Sequence, residues 1–121
     1  MDGTSDVEFI VIRHGETAWN LEGRIQGHLD GGLTELGLRQ AEAVAASFAG
    51  ERLDGIYASD LARALITAEA IADRMGLRAI PDERLRERHH GIFQGLTLAE
   101  VRERFPDDHA RYLDRAQSGW V

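Results

Sequence analysis

The sequence has an adjacent arginine and histidine near its start, Arg13 and His14, and two later polar residues, Arg63 and Glu87, that could act with them. A transferring phosphoryl group requires a nucleophile, positive charge around its oxygens and an acid for the leaving oxygen. A neutral histidine such as His14 is a nucleophile, and the guanidinium groups of Arg13 and Arg63 carry positive charge. Glu87 could be the proton donor. These residue types fit phosphoryl transfer, and the arginines could neutralise the phosphate without a divalent metal.

Each of these residues, taken alone, also has an ordinary structural interpretation. Adjacent arginine and histidine are common, a helical arginine such as Arg63 is usually solvated, and Glu87 could form a surface ion pair with neighbouring arginines. The histidines His89 and His90 do not predict a metal site, because adjacent side chains seldom point at one ion. The catalytic interpretation therefore depends on where the fold places these residues.

The chain reads as alternating strands and helices. Three short apolar segments are predicted strands: residues 7–12, 53–58 and 77–80. The first is β-branched and apolar, which is typical of a strand buried on both faces. Helical spacing predicts a helix that begins near Thr34 and ends by Gly50, and another that begins at Ser59 or Asp60 and ends at Gly76. Further helices are predicted from Thr97 to Pro106, and from Asp107 or Asp108 onward.

This alternation predicts a mostly parallel sheet with helices on its faces. Ligands bind such sheets beyond the carboxyl ends of the strands. Polar clusters follow the three predicted strands, at residues 13–16, 59–63 and 84–90. The glycine-rich segment 13–32 is also too long for an ordinary connection. We therefore expect the polar clusters to meet at one edge of the sheet and to form a binding site.

Composition restricts the class of protein. The 121 residues suit a single domain over residues 1–121, and the net charge of -7 disfavours nucleic acid and anionic membranes as partners. Without cysteine there is no disulfide and no thiolate metal site. No apolar segment reaches the roughly 20 residues of a membrane span, and the acidic first six residues lack the basic start of a signal peptide. The cytoplasm is the expected compartment.

Ordered blocks of sequence cover nearly the whole chain. They are residues 13–17, 19–20, 23–27, Asp30, 33–35, Gly37 and 40–41, then 59–64 and 67–69, then 85–87, Gly91 and 94–97. In type and spacing these blocks resemble the histidine phosphatase superfamily, the phosphoglycerate mutase-like proteins. The fold class implied is α/β, a three-layer α/β/α sandwich with a mostly parallel sheet.

The resemblance also implies roles for individual residues. His14 would accept the phosphoryl group as a phosphohistidine, and Glu87 would be the acid and base. The residues implied to bind the phosphate or line the substrate pocket are Arg13, Asn20, Gln26, Gly27 and Arg63. The implied substrate is a small phosphorylated molecule, with no cofactor.

The resemblance stops before one element of the family. Members are generally longer and complete the phosphate pocket with a second histidine, in a His-Gly pair after a later strand, whereas this sequence stops at Val121. The sequence is therefore interpreted as truncated at the C-terminus. We expect the 121-residue chain to have little activity, and an open sheet edge at residues 7–12 to allow homo-oligomers.

Two positions bear on the type of activity. The cofactor-dependent mutases of the family have a tyrosine where this chain has His90, and a substrate-binding lysine where it has Leu98. This chain contains no lysine. A phosphomonoester phosphatase is therefore preferred, with a phosphoglycerate mutase as the alternative. A catalytically poor phospho-ligand binding module, or an inert fragment, is the alternative from another class.

Overall fold

The structure is a computed structural model that describes residues 6–29 and 31–117; Asp30, one of the residues of the resemblance, lies outside the described residues. The elements are α1 (Ala18–Glu22), α2 (Glu35–Ser47), β1 (Ile56–Ala58), α3 (Ala62–Met75), β2 (Ala79–Pro81), α4 (Leu98–Arg104) and α5 (Pro106–Gln117). Single 3₁₀ turns lie at Glu83–Leu85 and Gly91–Phe93. None of the helices within the described ranges is long and apolar enough to cross a bilayer.

The sheet and the core confirm an α/β arrangement. Strands β1 and β2 pair in parallel, with Ile56 opposite Ala79, and α3 connects them. Helix α3 packs on both strands and along α2. The core cluster where the two helices meet contains Ala45, Phe48 and Ile71. Alanines at helical spacing are buried in both helices: Ala41 and Ala45 in α2, and Ala68 and Ala72 in α3.

The helix boundaries follow local capping chemistry. The Thr34 hydroxyl accepts a hydrogen bond from the Gly37 amide, and Thr97 caps α4 in the same way, as predicted. Gly76 ends α3 with a left-handed φ of 66°. The predicted start of α3 at Ser59 or Asp60 is wrong, because Leu61 is the N-cap residue and has no side-chain capping bond.

Two other boundaries differ slightly from the prediction. Helix α2 ends at Ser47, before Gly50. Helix α5 begins at Pro106 rather than at Asp107 or Asp108. Proline suits the first helical position because its fixed φ is already helical and its missing N–H is not needed there.

The predicted strand at residues 7–12 is wrong. Val7, Phe9 and Val11 are 73%, 86% and 93% exposed, and no strand in the described part of the chain pairs with this segment. Only Ile12 packs against the core. A strand requires a hydrogen-bonding neighbour as well as apolar side chains. The other two predicted strands are confirmed with shorter or shifted bounds.

Candidate active site

An open cleft of about 540 Å³ lies where the three polar clusters meet. All seven residues singled out from the sequence line it: Arg13, His14, Asn20, Gln26, Gly27, Arg63 and Glu87. They come from the segment after residue 12, from the start of α3 and from the segment after β2. The expected convergence of these clusters is therefore confirmed, although residues 7–12 are not a strand.

The histidine in this cleft is oriented by a backbone carbonyl. His14 is half-buried, and its Nδ1 lies 2.7 Å from the carbonyl oxygen of Gly15. A carbonyl oxygen can only accept, so Nδ1 carries the hydrogen and the lone pair of the neutral ring is on Nε2. If His14 acts as a nucleophile, Nε2 is the atom that can attack.

Residues 13–17, which carry the candidate nucleophile and are here called the nucleophile loop, are held against α2 and α3 by very close contacts. A Cβ on Gly15 would lie 2.3 Å from the carbonyl oxygen of Gly37, and a Cβ on Gly37 would lie 2.1 Å from that of Glu16. The Gly15 amide donates to Thr67 Oγ1 at 3.3 Å, and this hydroxyl donates to the Arg63 carbonyl. Only glycine allows the backbones to meet this closely, so these contacts fix the position of His14.

The guanidinium of Arg63 is buried at the start of α3. Its side chain is oriented by backbone carbonyls, because Nη1 donates to Leu29 at 2.8 Å and Nη2 donates to Gly27 at 2.6 Å. The residue is 3% exposed. The ordinary alternative, a solvated helix arginine, is therefore wrong. Gly27 is also constrained, since its φ of 54° is left-handed and a Cβ there would lie 3.0 Å from the backbone nitrogen of His90.

The amides of Asn20 and Gln26 are oriented by a buried threonine. Thr17 is 0% exposed and forms a capping box with Asn20, whose Oδ1 accepts from the Thr17 amide at 2.9 Å. The Gln26 Oε1 accepts from the Thr17 hydroxyl at 2.8 Å. Because both amide oxygens are turned toward Thr17, the amino groups are the donors that these side chains bring to the cleft.

Residues 82–90, which carry the candidate acid Glu87 and are here called the acid loop, bring it to the cleft by contacts at the rim. Glu87 is exposed, and its carboxylate accepts from the Arg88 amide at 2.7 Å. Its main-chain carbonyl lies 2.8 Å from His28 Nε2. The preceding residue, Arg86, forms an ion pair with Asp60 and holds the pKa of that carboxyl below its usual value.

Seven further residues line the cleft and were not among the predicted site residues: Gly23, Arg24, Ile25, His90, Phe93, Leu98 and Tyr112. Arg24 Nη1 donates to the Gly95 carbonyl and to the Glu100 carboxylate. These hydrogen bonds link the segment after α1 to α4. Burial lowers the pKa of His90, which favours its neutral form. Arg24 belongs to one of the recognised sequence blocks, whereas Tyr112 on α5 had no sequence signal.

Comparison with known proteins agrees with this geometry. The family model described as the histidine phosphatase superfamily (branch 1) matches residues 9–120. The chain belongs to this superfamily. It is 41% identical over 108 residues to phosphoserine phosphatase 1 of Hydrogenobacter thermophilus, covering 89% of this chain and 51% of that protein. It is 44% identical over 107 residues to phosphoglycerate mutase-like protein 4 of Arabidopsis thaliana, covering 87% and 46%.

A solved structure shows the same fold. The mycobacterial glucosyl-3-phosphoglycerate phosphatase in complex with VO3 superposes with a TM-score of 0.74 at 41% identity, over 82% of this chain and 47% of that one. The predicted fold class, α/β and phosphoglycerate mutase-like, is confirmed. The chain spans about half the length of the curated relatives and the solved structure that it matches.

Proposed function

We propose that this protein is a phosphomonoester phosphatase that acts through a phosphohistidine at His14. The observation that carries the proposal is the bond between His14 Nδ1 and the Gly15 carbonyl, which leaves the lone pair on Nε2. This nucleophile lines one cleft with two arginines and a glutamate. Relatives named as phosphatases support hydrolysis as the reaction.

In the first step, the lone pair of His14 Nε2 forms a bond to phosphorus while the bond from phosphorus to the ester oxygen breaks. Protonated Glu87 gives its proton to the departing oxygen, so the products are phosphohistidine, a free alcohol and a Glu87 carboxylate. The hydrogen stays on Nδ1 and keeps its hydrogen bond to the Gly15 carbonyl oxygen, which favours the ring charge that phosphorylation creates.

In the second step, water replaces the alcohol. The Glu87 carboxylate takes a proton from water, the water oxygen bonds to phosphorus, and the bond from phosphorus to Nε2 breaks. The products are inorganic phosphate, neutral His14 and protonated Glu87, so the enzyme returns to its starting state.

The remaining cleft residues would bind the phosphoryl oxygens. The guanidinium groups of Arg13 and Arg63 would neutralise negative charge, and the amino groups of Asn20 and Gln26 would donate hydrogen bonds. Gly27 would orient Arg63 through its carbonyl, which accepts from Nη2.

A phosphoglycerate mutase is the alternative within the same chemistry. Its support is the 44% identity to a phosphoglycerate mutase-like protein. A mutase would return the phosphoryl group to the organic acceptor, whereas a phosphatase releases inorganic phosphate. A phosphate-release assay run beside chromatography of the organic product separates the two, and stoichiometric binding with no product would indicate a binding module.

Localisation and assembly are part of the same proposal. The proposed compartment is the cytoplasm. The exposed apolar side chains of residues 7–11 support association between copies, because exposed apolar segments favour intermolecular pairing. Sedimentation of the wild type and of a Phe9→Glu variant would test this association. If both proteins sediment as monomers, residues 7–11 do not join copies of the chain.

Rapid-quench labelling tests the proposed reaction. A phosphorus-labelled monoester should leave a label that is stable in base and labile in acid, as expected for a phosphoramidate. His14→Ala should abolish the label, and His109→Ala, on α5 and outside the cleft lining, should retain it. A label that persists in His14→Ala would show that another residue is the nucleophile.

A further inference from the structure

Asp60 and Arg86 form an ion pair with two parallel hydrogen bonds. Arg86 Nε donates to Oδ1 and Nη2 donates to Oδ2, each at 2.6 Å. The two side chains are about one third exposed, at 34% and 32%. Ion pairs of that exposure contribute little to stability, but the fork of a guanidinium on a carboxylate fixes direction as well as distance. The main consequence of this pair is therefore geometric.

The pair joins two parts of the candidate site. Asp60 precedes the start of α3 and lies three residues before Arg63, the buried phosphate-binding candidate. Arg86 is the residue directly before Glu87 in the acid loop. The ion pair therefore sets the distance between the element that would hold the phosphate and the residue that would protonate the leaving oxygen.

We propose that the Asp60–Arg86 ion pair positions Glu87 for proton transfer to the leaving group. The inference rests on the proposed function, and it makes Asp60 and Arg86 positioning residues that act through Glu87. Displacement of a catalytic group by about 1 Å can lower a rate by about a hundredfold. Loss of the pair should therefore reduce turnover most where the leaving oxygen most needs a proton.

A second ion pair in the acid loop is a matched control. Asp82 and Arg84 also form a close pair, with Nη2 and Oδ2 2.6 Å apart, but they are only two residues apart in the chain. This pair cannot connect the acid loop to α3. Arg84→Gln removes the same charge as Arg86→Gln from the same loop, so it controls for charge and for loop composition.

The test compares two substrates and four variants. Turnover of an alkyl phosphate, which has a poor leaving group, is measured beside that of an activated aryl phosphate for Arg86→Gln, Asp60→Asn, their double variant and Arg84→Gln. We expect both single variants to lose about ten- to a hundredfold on the alkyl phosphate, with a much smaller loss on the aryl phosphate. The double variant should lose no more than either single one.

Hydrogen exchange of the amides in residues 86–90 gives a readout that needs no turnover. Exchange should rise in Arg86→Gln and Asp60→Asn and should stay unchanged in Arg84→Gln. If Arg86→Gln does not fold, Arg86→Lys, which keeps the charge but loses the fork, should show the same substrate contrast at smaller size.

The outcomes separate this inference from the proposed function. Suppose that Glu87→Gln shows the contrast between the two substrates. The positioning role is then wrong if Arg86→Gln and Asp60→Asn lose equally on both substrates, or if they leave hydrogen exchange unchanged. If Glu87→Gln itself shows no contrast, the proposed acid is wrong, and a positioning role for the pair is wrong with it.

Discussion

The nucleophile loop and the acid loop bring side chains to the same cleft, but different forces hold them in place. Residues 13–17 are fixed by buried hydrogen bonds and by backbone contacts that only glycine allows at Gly15 and Gly37. Residues 82–90 are mostly exposed and are held by ion pairs and single hydrogen bonds. Buried contacts resist displacement, whereas rim ion pairs exchange with water. We therefore expect a rigidly placed nucleophile and an acid whose position is easier to disturb.

We expect substitutions in the nucleophile loop and in the acid loop to have different effects. Lesions in the nucleophile loop should lower stability and should slow all substrates alike, because every substrate needs the same attacking nitrogen. Lesions in the acid loop should leave stability nearly unchanged and should slow substrates according to their leaving group.

The largest effect is expected for Glu87→Gln. An amide cannot donate an acidic proton, so turnover of an alkyl phosphate should fall by about 10²–10⁴-fold, and that of an activated aryl phosphate by much less. Glu83→Gln removes an exposed carboxylate from the same loop and should behave as the wild type. Equal losses on the two substrates, with phosphoenzyme formation limiting in both, would count against Glu87 as the acid.

The next largest effect is expected for Gly37→Ala, measured as the free energy of unfolding in urea. Helix propensity alone predicts that replacing this glycine of α2 by alanine would raise the free energy of unfolding by about 1 kcal/mol. The added Cβ would instead meet the Glu16 carbonyl at 2.1 Å, and overpacking costs about 1–3 kcal/mol. The sign of the change in the free energy of unfolding therefore tests whether Gly37 lies this close to the Glu16 carbonyl.

Gly55→Ala is the control for that experiment. Its Cβ would meet only the ring of Tyr57, at 3.2 Å, and this ring belongs to an exposed side chain that can move. A stabilised Gly37→Ala would show that the nucleophile loop is not pressed against α2.

A smaller effect is expected for Thr67→Val, which keeps the shape but removes a buried hydroxyl. The Gly15 amide would lose its partner, and since that bond is long, at 3.3 Å, the cost should be about 1 kcal/mol. Thr67→Ser retains the hydroxyl and should therefore keep most of the stability that Thr67→Val loses. Turnover should fall by the same factor on alkyl and aryl phosphates; a loss that depends on the leaving group would remove the distinction between the two loops.

The smallest effect is expected for the Asp82–Arg84 pair. The guanidinium lowers the pKa of Asp82 to about 2 from a usual value of 3.8. A lowered pKa means that the pair stabilises the fold above pH 3.8 and that this contribution is lost as the pH falls through about 2. The carboxyl chemical shift of Asp82 should show this titration. Arg84→Gln should return the pKa of Asp82 toward 3.8 without changing turnover at neutral pH.

Much of the site was predictable because its signals are local. Thr34, Gly76 and Thr97 mark helix ends by their own capping chemistry. The rule that ligands bind beyond the carboxyl ends of parallel strands predicted that three distant clusters meet, and they do, although only two of them follow strands. The short helix α1 was missed, although its capping box, Thr17 with Asn20 three residues later, is a recognisable signal.

The rest depends on contacts between residues far apart in the sequence. The apolar pattern of residues 7–12 reports a tendency to be buried but says nothing about a pairing partner, and the described chain provides none. The close approach of Gly15 to Gly37 and the ion pair of Asp60 with Arg86 join segments 22 and 26 residues apart (37 − 15 and 86 − 60). No spacing rule predicts such contacts, and only the folded backbone shows them.

The attachment point of the phosphoryl group decides whether His14 attacks phosphorus through Nε2. The bond from Nδ1 to the Gly15 carbonyl assigns the attacking lone pair to Nε2 of His14. Phosphorus–nitrogen coupling in a trapped, nitrogen-labelled phosphoenzyme distinguishes the two ring nitrogens. We expect phosphorus on Nε2 with a proton retained on Nδ1. Phosphorus on Nδ1, or on a residue other than His14, would contradict it.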